Sequence, residues 1–302
     1  MIVAAAMLGA TLVSLPGGAA LAATASSVVC SSSSHPALAA KLTRDIQAAR
    51  RGRVSTVAVR VDDPAARLSC SLNAALHFDS ASVVKATILS ALLRKAMEQH
   101  WFLTRTEAAL ARSMITISDN GAASALWNDV GRGWLQHFLN LAGMRQTFLG
   151  PGGFWGLTQI TASDEVLLLR LLRDSNPVLN SASRSYALGL MASVVPSQRW
   201  GVAAGAPTSL TAHIKNGWLP LSTHEWRIHS IGVFTGRGVG YSIVVLTEDD
   251  PTMSYGIVTI EAIARVIHRD LNPRTASVVP SSRIAPSEQT PDELIPALPN
   301  IP

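Results

Sequence analysis

Apolar and polar residues alternate along this chain with two periods, one typical of helices and one typical of strands. Apolar residues recur at helical spacing from His35 to Arg51, where Arg-Arg-Gly is a stop signal. Residues 54–61 are β-branched and half-alternating, which predicts a strand. The turn at 62–64 and the run 67–72 predict a second strand that returns beside the first. The first part of the chain is therefore predicted to be a helix followed by a hairpin.

In the middle of the chain the spacing of apolar residues mostly predicts helices, and in the last part it again predicts strands. The predicted helices are 82–100, 104–117, one from about 121, 132–142, one from 161, 183–194 and 253–271, and the predicted strands are 210–217, 225–235 and 240–247. Residues 149–156 are rich in glycine and predict a loop. This order predicts an α+β fold, in which one antiparallel sheet is built from both chain ends, flanked by helices, beside a mostly helical lobe.

The two ends of the chain differ in composition from the rest. Residues 2–22 are uncharged, rich in Ala, Leu and Val, and end in Ala-Leu-Ala, which is typical of a secretory signal cut after Ala22. A membrane span is the alternative, but a Pro-Gly-Gly break and the cleavage pattern argue against it. We predict a signal peptide at 1–22, a flexible leader at 23–35, one globular domain at 36–272 and a disordered Pro/Ser-rich tail at 273–302. The mature protein is then secreted and keeps no stable membrane span.

Composition limits the possible partners. The 302 residues are 48% hydrophobic and 15% charged, which fits one large globular domain. The net charge is +5, but the basic residues form no block and aromatic residues are 5%, so nucleic-acid binding has little support. The eight histidines are scattered. The scattered histidines predict no metal ion, and we also expect no cofactor and a monomeric protein.

The chain has two cysteines, Cys30 and Cys70. An even number of cysteines in an exported protein suggests a disulfide bond. Such a bond would tie the mature N-terminus to the segment before Phe78. Two unrelated thiols remain the alternative.

Ser82 and Lys85 form the first candidate for chemistry. They stand three residues apart at the head of an apolar helical run, so they share one helix face. The amine of Lys85 can therefore lie beside the Ser82 hydroxyl and take its proton, and the helix N-terminus supplies free amides. The alternative is that Ser82 simply caps the helix.

Two later segments extend this pattern. Ser118-Asp119-Asn120 and Lys215-Asn216-Gly217 follow in the order that Ser-x-x-Lys, Ser-Asp-Asn and Lys-Thr-Gly have in class A β-lactamases and penicillin-binding proteins. Taken singly, each segment is explained by a helix cap or a turn at the end of a strand, but their joint order is not. From about residue 36 to 272, the chain resembles the class A β-lactamase-like serine hydrolases.

The resemblance implies a role for each residue of the three motifs. Ser82 would be the acylated nucleophile and Lys85 its base. Ser118 would relay a proton to the leaving nitrogen, and Asn120 would hold Lys85 and the substrate amide. Lys215 would supply positive charge to the substrate carboxylate and to Ser118.

Further residues are implied around the substrate. The backbone amides of Ser82 and Trp218 would form the oxyanion hole. Asn216, Gly217 and Arg227 would contact the substrate, although an exposed strand arginine is an equally good interpretation of Arg227. The family also implies a site in the crevice between the sheet and the helical lobe.

Three features depart from the family pattern. The interval between Lys85 and Ser118 is short, which predicts a more open cleft. Asn216 stands in place of threonine. No acid lies between Phe148 and Leu157, where class A enzymes carry the glutamate that deacylates the enzyme. Glu165 is the nearest candidate, and a simple helix-dipole role at the start of a helix is the stronger interpretation of it.

The sequence therefore predicts a secreted serine acyl-hydrolase of the β-lactamase/DD-peptidase type, acting at the cell wall. Its substrates would be β-lactams, D-Ala-D-Ala-like peptides of peptidoglycan, or esters. A true β-lactamase is the first alternative, and a non-catalytic wall-binding relative is the second. All five motif residues together argue against the second, and the missing acid argues against the first.

Overall fold

A computed structural model describes residues 27–236 and 238–273 of the chain. Its helices are α1 (Pro36–Ala49), α2 (Val84–Glu98), α3 (Arg105–Thr116), α4 (Asn120–Val130), α5 (Arg132–Ala142), α6 (Ala162–Arg173), α7 (Ser181–Ala192) and α8 (Met253–Leu271). Its strands are β1 (Val29–Ser32), β2 (Thr56–Asp63), β3 (Leu68–Leu72), β4 (Phe78–Asp79), β5 (Gln159–Ile160), β6 (Thr211–Pro220), β7 (Trp226–Gly236) and β8 (Val239–Asp250). Most of these elements lie where the hydrophobic periodicity predicts them.

Six strands form one antiparallel sheet in the order β1-β3-β2-β8-β7-β6. The sheet joins the two ends of the chain at its centre, where β2 pairs with β8 and Val59 lies opposite Val245. The predicted α+β fold, with a sheet built from both chain ends, is confirmed.

The sheet separates two hydrophobic cores. On one face, α1 and α8 pack together and bury residues such as Leu42, Ile46 and Ile263 against the sheet. On the other face lies the helical lobe, whose central helix α2 is buried on nearly all sides, as a helix without a polar face must be. The head of α2 is thereby held against the inner face of the sheet.

A small second sheet leads into α2. Strand β4 pairs with β5, with Phe78 opposite Ile160, and the chain then passes through a short 3-10 helix at Ala81–Val83. The predicted helix from Ser82 therefore begins with this 3-10 turn. Strands of two residues carry no readable period, which is why the sequence did not predict β4 and β5.

The predicted flexible leader at 23–35 is wrong for the residues that the structure describes there. Residues 29–32 form β1, which pairs with β3 at the edge of the sheet, and Cys30 lies opposite Cys70. The two cysteines form a disulfide bond, as predicted. The run of serines hid a strand because contacts distant in sequence hold it in place, namely the pairing with β3, the disulfide bond and the hydrogen bond from the Cys30 amide to Thr43 Oγ1, and it has no apolar alternation of its own.

The predicted signal peptide at 1–22 and the predicted tail beyond Pro273 lie outside the described residues. Within the described part of the chain, the helices fall short of the length and apolar character that a membrane crossing requires.

The disulfide bond is expected to stabilise the fold measurably. It closes a loop of 40 residues in the unfolded chain, which corresponds to about 3–4 kcal/mol of loop-closure entropy. We expect reduction with dithiothreitol to lower the free energy of unfolding in urea by an amount of that order. The double variant Cys30→Ser/Cys70→Ser should have the stability of the reduced protein and should not respond to dithiothreitol. Equal stability of the oxidised and reduced proteins would contradict this.

Candidate active site

Ser82 lies in the 3-10 turn before α2, and the backbone there is tightly held. The Ser80 amide donates to Thr158 O at 2.8 Å, and the Val83 amide donates to Ser80 O at 3.1 Å. Ala81 has a positive φ of 46°, a left-handed conformation that costs free energy for a residue with a side chain. Strain of this kind persists only where the surroundings impose it, and here it presents Ser82 at the head of the helix.

Lys85 is the second residue of α2 and is fully buried. Its Nζ donates to the Ser118 carbonyl at 2.6 Å, to Asn120 Oδ1 at 2.7 Å and to Ser118 Oγ at 3.2 Å. Among the described residues, no hydrogen bond joins this amine to the Ser82 hydroxyl. Catalytic hydrogen bonds are often long in free enzymes and shorten when substrate binds, so the shared helix face keeps Lys85 as the candidate base.

Ser118 and Asn120 stand at the junction of α3 and α4. Asp119 caps α4 by accepting a hydrogen bond from the Ala122 amide at 2.7 Å, which fixes Asn120 as the first residue of that helix. Ser118 has a positive φ of 60°, so its hydroxyl and its carbonyl both reach Lys85. The capping interpretation of this motif is thus correct for Asp119, while its two neighbours bind the buried amine.

Lys215 reaches the same hydroxyl from the sheet. It lies on β6, is buried, and donates from Nζ to Ser118 Oγ at 3.0 Å and to the Asn216 carbonyl at 2.7 Å. Ser118 Oγ therefore accepts hydrogen bonds from two lysines, one from each side of the crevice. The structure brings Ser82, Lys85, Ser118, Asn120 and Lys215 together.

Burial lowers the pKa of both amines. The pKa of Lys85 lies well below its usual value because burial penalises the charged form and Lys215 repels it, although Asp119 acts in the opposite direction. Burial alone lowers the pKa of Lys215 to about 7. A neutral Lys85 is able to accept a proton at neutral pH, as a general base must.

Gly217 allows β6 to approach the turn that carries Ser82. A Cβ atom placed on Gly217 would lie 2.9 Å from the amide nitrogens of both Ser82 and Val83, closer than real contacts permit. The lack of a side chain therefore sets the distance between the two backbones. It places Ser82 beside the strand that also carries Trp218, whose amide is the other predicted oxyanion donor.

The structure does not support a substrate contact from the side chain of Asn216. Its Nδ2 donates to Gln198 O at 2.8 Å and to Trp200 O at 3.1 Å, and its Oδ1 accepts from Ser230 Oγ at 2.6 Å. All its polar atoms are thus used in tying β6 to β7 and to the segment before β6. The sequence could not reveal this because both faces of β6 are buried.

Arg227 is not an exposed strand residue, so that interpretation is wrong. It is buried, its Nη2 forms an ion pair with Asp79 Oδ2 at 3.0 Å, and its Nη1 binds the carbonyl of Thr223 in the β6–β7 turn. Gln159 Nε2 also donates to Asp79, at 2.6 Å. Arg227 therefore anchors the strand that leads into the Ser82 turn, and its contact with a substrate stays a prediction.

Trp155 is a site residue that the sequence analysis missed. It comes from the glycine-rich loop, lies buried, and places its ring with the centroid 4.8 Å from Lys85 Nζ. Its indole nitrogen donates to Ser124 Oγ at 3.0 Å, and Ser80 Oγ lies 3.4 Å from its carbonyl. The only signal in the sequence was a tryptophan within a loop that lacks any acid.

Glu165 lies in the first turn of α6, which Thr161 caps. The side chain is fully buried, and within the described residues neither carboxylate oxygen has a hydrogen-bond partner. Burial, with a contribution from Asp164, raises the pKa of Glu165 to about 8. No hydrogen bond or ion pair connects it to Lys85 in the described part of the protein, so its geometry is that of a neutral core residue.

Comparison with known proteins agrees with this arrangement. A model of the Beta-lactamase enzyme family matches residues 106–271, a range that holds Ser118, Asn120 and Lys215 and begins after Ser82 and Lys85. No curated protein matches the sequence.

Several solved structures share the fold. A class A β-lactamase from Bacteroides cellulosilyticus is 17% identical, with a TM-score of 0.66 over 78% of this chain and 98% of that one. PBP-A is 18% identical, with a TM-score of 0.67 over 78% of this chain and 96% of that one. A PBP-A mutant in an acyl-enzyme complex with penicillin G is 18% identical, with a TM-score of 0.67 over 78% and 97% of the two chains. The family match spans just over half of the 302 residues, and the chain therefore belongs to the β-lactamase enzyme family.

Proposed function

We propose that this protein is a serine acyl-hydrolase that forms an acyl-enzyme on Ser82. The observation that carries the proposal is the pair of buried amines, Lys85 and Lys215, that share Ser118 Oγ next to the Ser82 turn. Acyl transfer needs a base, a proton relay and a positively charged group. Lys85, Ser118 and Lys215 would supply these three parts around the head of α2.

Acylation follows from these contacts. Neutral Lys85 takes the proton of the Ser82 hydroxyl, and the oxygen attacks the carbonyl carbon of the substrate. The amides of Ser82 and Trp218 stabilise the negative charge that develops on the carbonyl oxygen. Ser118 donates its proton to the leaving nitrogen as the carbon–nitrogen bond breaks, and it recovers a proton from Lys85, which returns to the neutral form.

Deacylation has no evident base in this site. The glycine-rich loop places the ring of Trp155 against Lys85, and Glu165 lies buried without a partner. Loss of a general base typically slows a step by about 10²–10⁴-fold. A β-lactam adduct should therefore be long-lived, whereas small esters, which leave water freer access to the acyl group, should turn over faster.

The same reasoning ranks the alternatives. A true β-lactamase needs an acid that activates water, and Glu165 has no contact that would let it do so. A non-catalytic relative would not need the hydrogen bonds from Lys85 and Lys215 to Ser118.

We further propose that the protein acts as a monomer on the cell-wall side of the membrane, since the predicted signal peptide and the disulfide bond suit an exported enzyme. D-Ala-D-Ala-like peptides of peptidoglycan are then the natural substrate class.

The first prediction concerns the nucleophile. A fluorescent penicillin or a fluorophosphonate should label Ser82 because it shares a helix face with Lys85, whose pKa is lowered well below its usual value by burial and by the charge of Lys215. Ser82→Ala should abolish labelling, as judged by gel fluorescence and peptide mass spectrometry. Ser90→Ala is the matched control, because Ser90 is buried in α2, the helix after the Ser82 turn, and within the described residues its hydroxyl donates only to the Ala86 carbonyl. Labelling that survives Ser82→Ala in folded protein would refute the assignment.

The second prediction concerns the pH dependence of acylation. The rate should rise with pH as Lys85 loses its proton, and this rise should occur well below the usual pKa of lysine. The charge of Lys215 is one cause of that low pKa, so Lys215→Met should move the rise to higher pH as well as reduce the rate. Stopped-flow acylation from pH 5 to 10 measures both. An unchanged midpoint in Lys215→Met would show that the two amines do not interact.

The third prediction separates acyl-enzyme formation from turnover. The penicilloyl adduct on Ser82 should persist for minutes or longer by intact-protein mass spectrometry, and Glu165→Gln should leave its lifetime unchanged. Rapid hydrolysis of penicillin that is lost in Glu165→Gln would establish the β-lactamase alternative instead.

Stability provides an independent readout for Glu165. Its pKa in the folded protein, about 8, lies above the ordinary value of 4.5, so the folded state binds the proton more tightly. This contribution to stability is present below about pH 4.5 and is lost as the pH rises towards 8, by up to about 1.4 kcal/mol per pH unit. Urea unfolding at several pH values should show this decline in the native protein and its absence in Glu165→Gln.

A further inference from the structure

A second group of chemically active side chains lies outside the crevice. His224 belongs to the β6–β7 turn, and Glu248 and Asp249 lie near the end of β8. One ligand atom from each of the three lies within 4.8 Å of the others, and this is the one such His/Cys/Asp/Glu group in the described part of the chain. His224 is distant in sequence from the adjacent pair Glu248 and Asp249, so no metal-ligand spacing was visible in the sequence.

Two members of the group already hold each other in place. His224 Nδ1 lies 2.8 Å from Asp249 Oδ1, and the other oxygen of Asp249 accepts a hydrogen bond from Thr56 Oγ1 at 2.5 Å. The Asp249 amide also donates to the His224 carbonyl at 2.9 Å. Backbone and side chain therefore both fix the imidazole beside the carboxylate.

Glu248 is the member without a partner. No hydrogen bond or ion pair engages its half-buried carboxylate within the described residues. The charged groups that face it are His224, Asp249, Arg227 and Asp79. Arg227 is already paired with Asp79 at 3.0 Å, so Glu248 and Asp249 leave an excess of negative charge at this place. A cation at this position would offset it.

The backbone of the turn is already organised. Arg227 binds the carbonyls of Thr223 and Glu225, and the Leu221 amide donates to the Glu225 carbonyl at 3.1 Å. The side chains of His224 and Asp249 remain 55% and 39% exposed, which gives an ion access from solvent. Such exposure also permits the small side-chain shifts that bonds of about 2.0–2.2 Å to a metal require.

We propose that His224, Glu248 and Asp249 bind a zinc ion. One imidazole nitrogen and two carboxylate oxygens are zinc ligands, and a water molecule would complete a tetrahedral site. The imidazole favours zinc over magnesium and calcium, which prefer oxygen ligands alone. The ion would join the β6–β7 turn to the end of β8. It would thereby brace the turn that Arg227 connects to Asp79, close to the strand that leads to Ser82.

Zinc titration of the tag-free, oxidised protein by isothermal calorimetry tests the proposal. We expect one zinc ion per chain, no comparable binding of magnesium, and a higher melting temperature with zinc than without. His224→Ala and Glu248→Gln should each weaken zinc binding at least ~10-fold and remove the thermal shift. His137→Ala is the matched control, because His137 also contacts a carboxylate, that of Glu98, but has no third ligand nearby.

Circular dichroism of each variant establishes that it is folded, and zinc binding is measured without any substrate, so the result does not depend on the proposed function. Zinc binding that is equally strong in His224→Ala and Glu248→Gln would overturn the proposal. The absence of stoichiometric zinc binding to the native protein would overturn it as well.

Discussion

Two buried lysines that share one serine hydroxyl impose the central constraint on this structure. Lys85 and Lys215 approach Ser118 Oγ to 3.2 and 3.0 Å, in a place from which water is excluded. Burial removes the hydration of both ammonium groups, and the charge of Lys215 further disfavours the charged form of Lys85. The pKa of each amine is therefore lowered, which favours a neutral amine that can accept a proton.

Separate elements of the fold hold the residues of this group in position. The buried helix α2 carries Lys85, the α3–α4 junction carries Ser118 and Asn120, and strand β6 carries Lys215. Gly217 lets β6 approach the Ser82 turn, and Asn216 ties the same strand to its neighbours. A change at any of these contacts would move one of the amines. Proton transfer requires the donor and acceptor atoms to lie about 2.6–3.2 Å apart, so a small displacement would slow it.

The sequence predicted the elements and the motif residues, because periodicity and motif order are local properties of the chain. It failed where a residue's role depends on what packs against it. Asn216 and Arg227 lie on strands buried on both faces, so alternation could not tell which side chains face the crevice. Trp155 comes from a loop without a pattern. Residues 29–32 form a strand because β3 and α1 lie beside them, and the burial of Glu165 follows from the packing of α6 rather than from its position in the first turn.

The pairing of β2 with β8 also has a consequence for biosynthesis. The centre of the sheet can form only after residues 242–248 have been synthesised, because these residues pair with residues 56–62. The growing polypeptide thus carries Ser82, Lys85, Ser118 and Asn120 long before Lys215 and Gly217 exist, and meanwhile exposes the unpaired edge of β2, which invites aggregation. The group formed by Ser82, Lys85, Ser118, Asn120 and Lys215 is therefore completed only after β6 has been synthesised, and the edge of β2 stays open to wrong pairing until β8 follows.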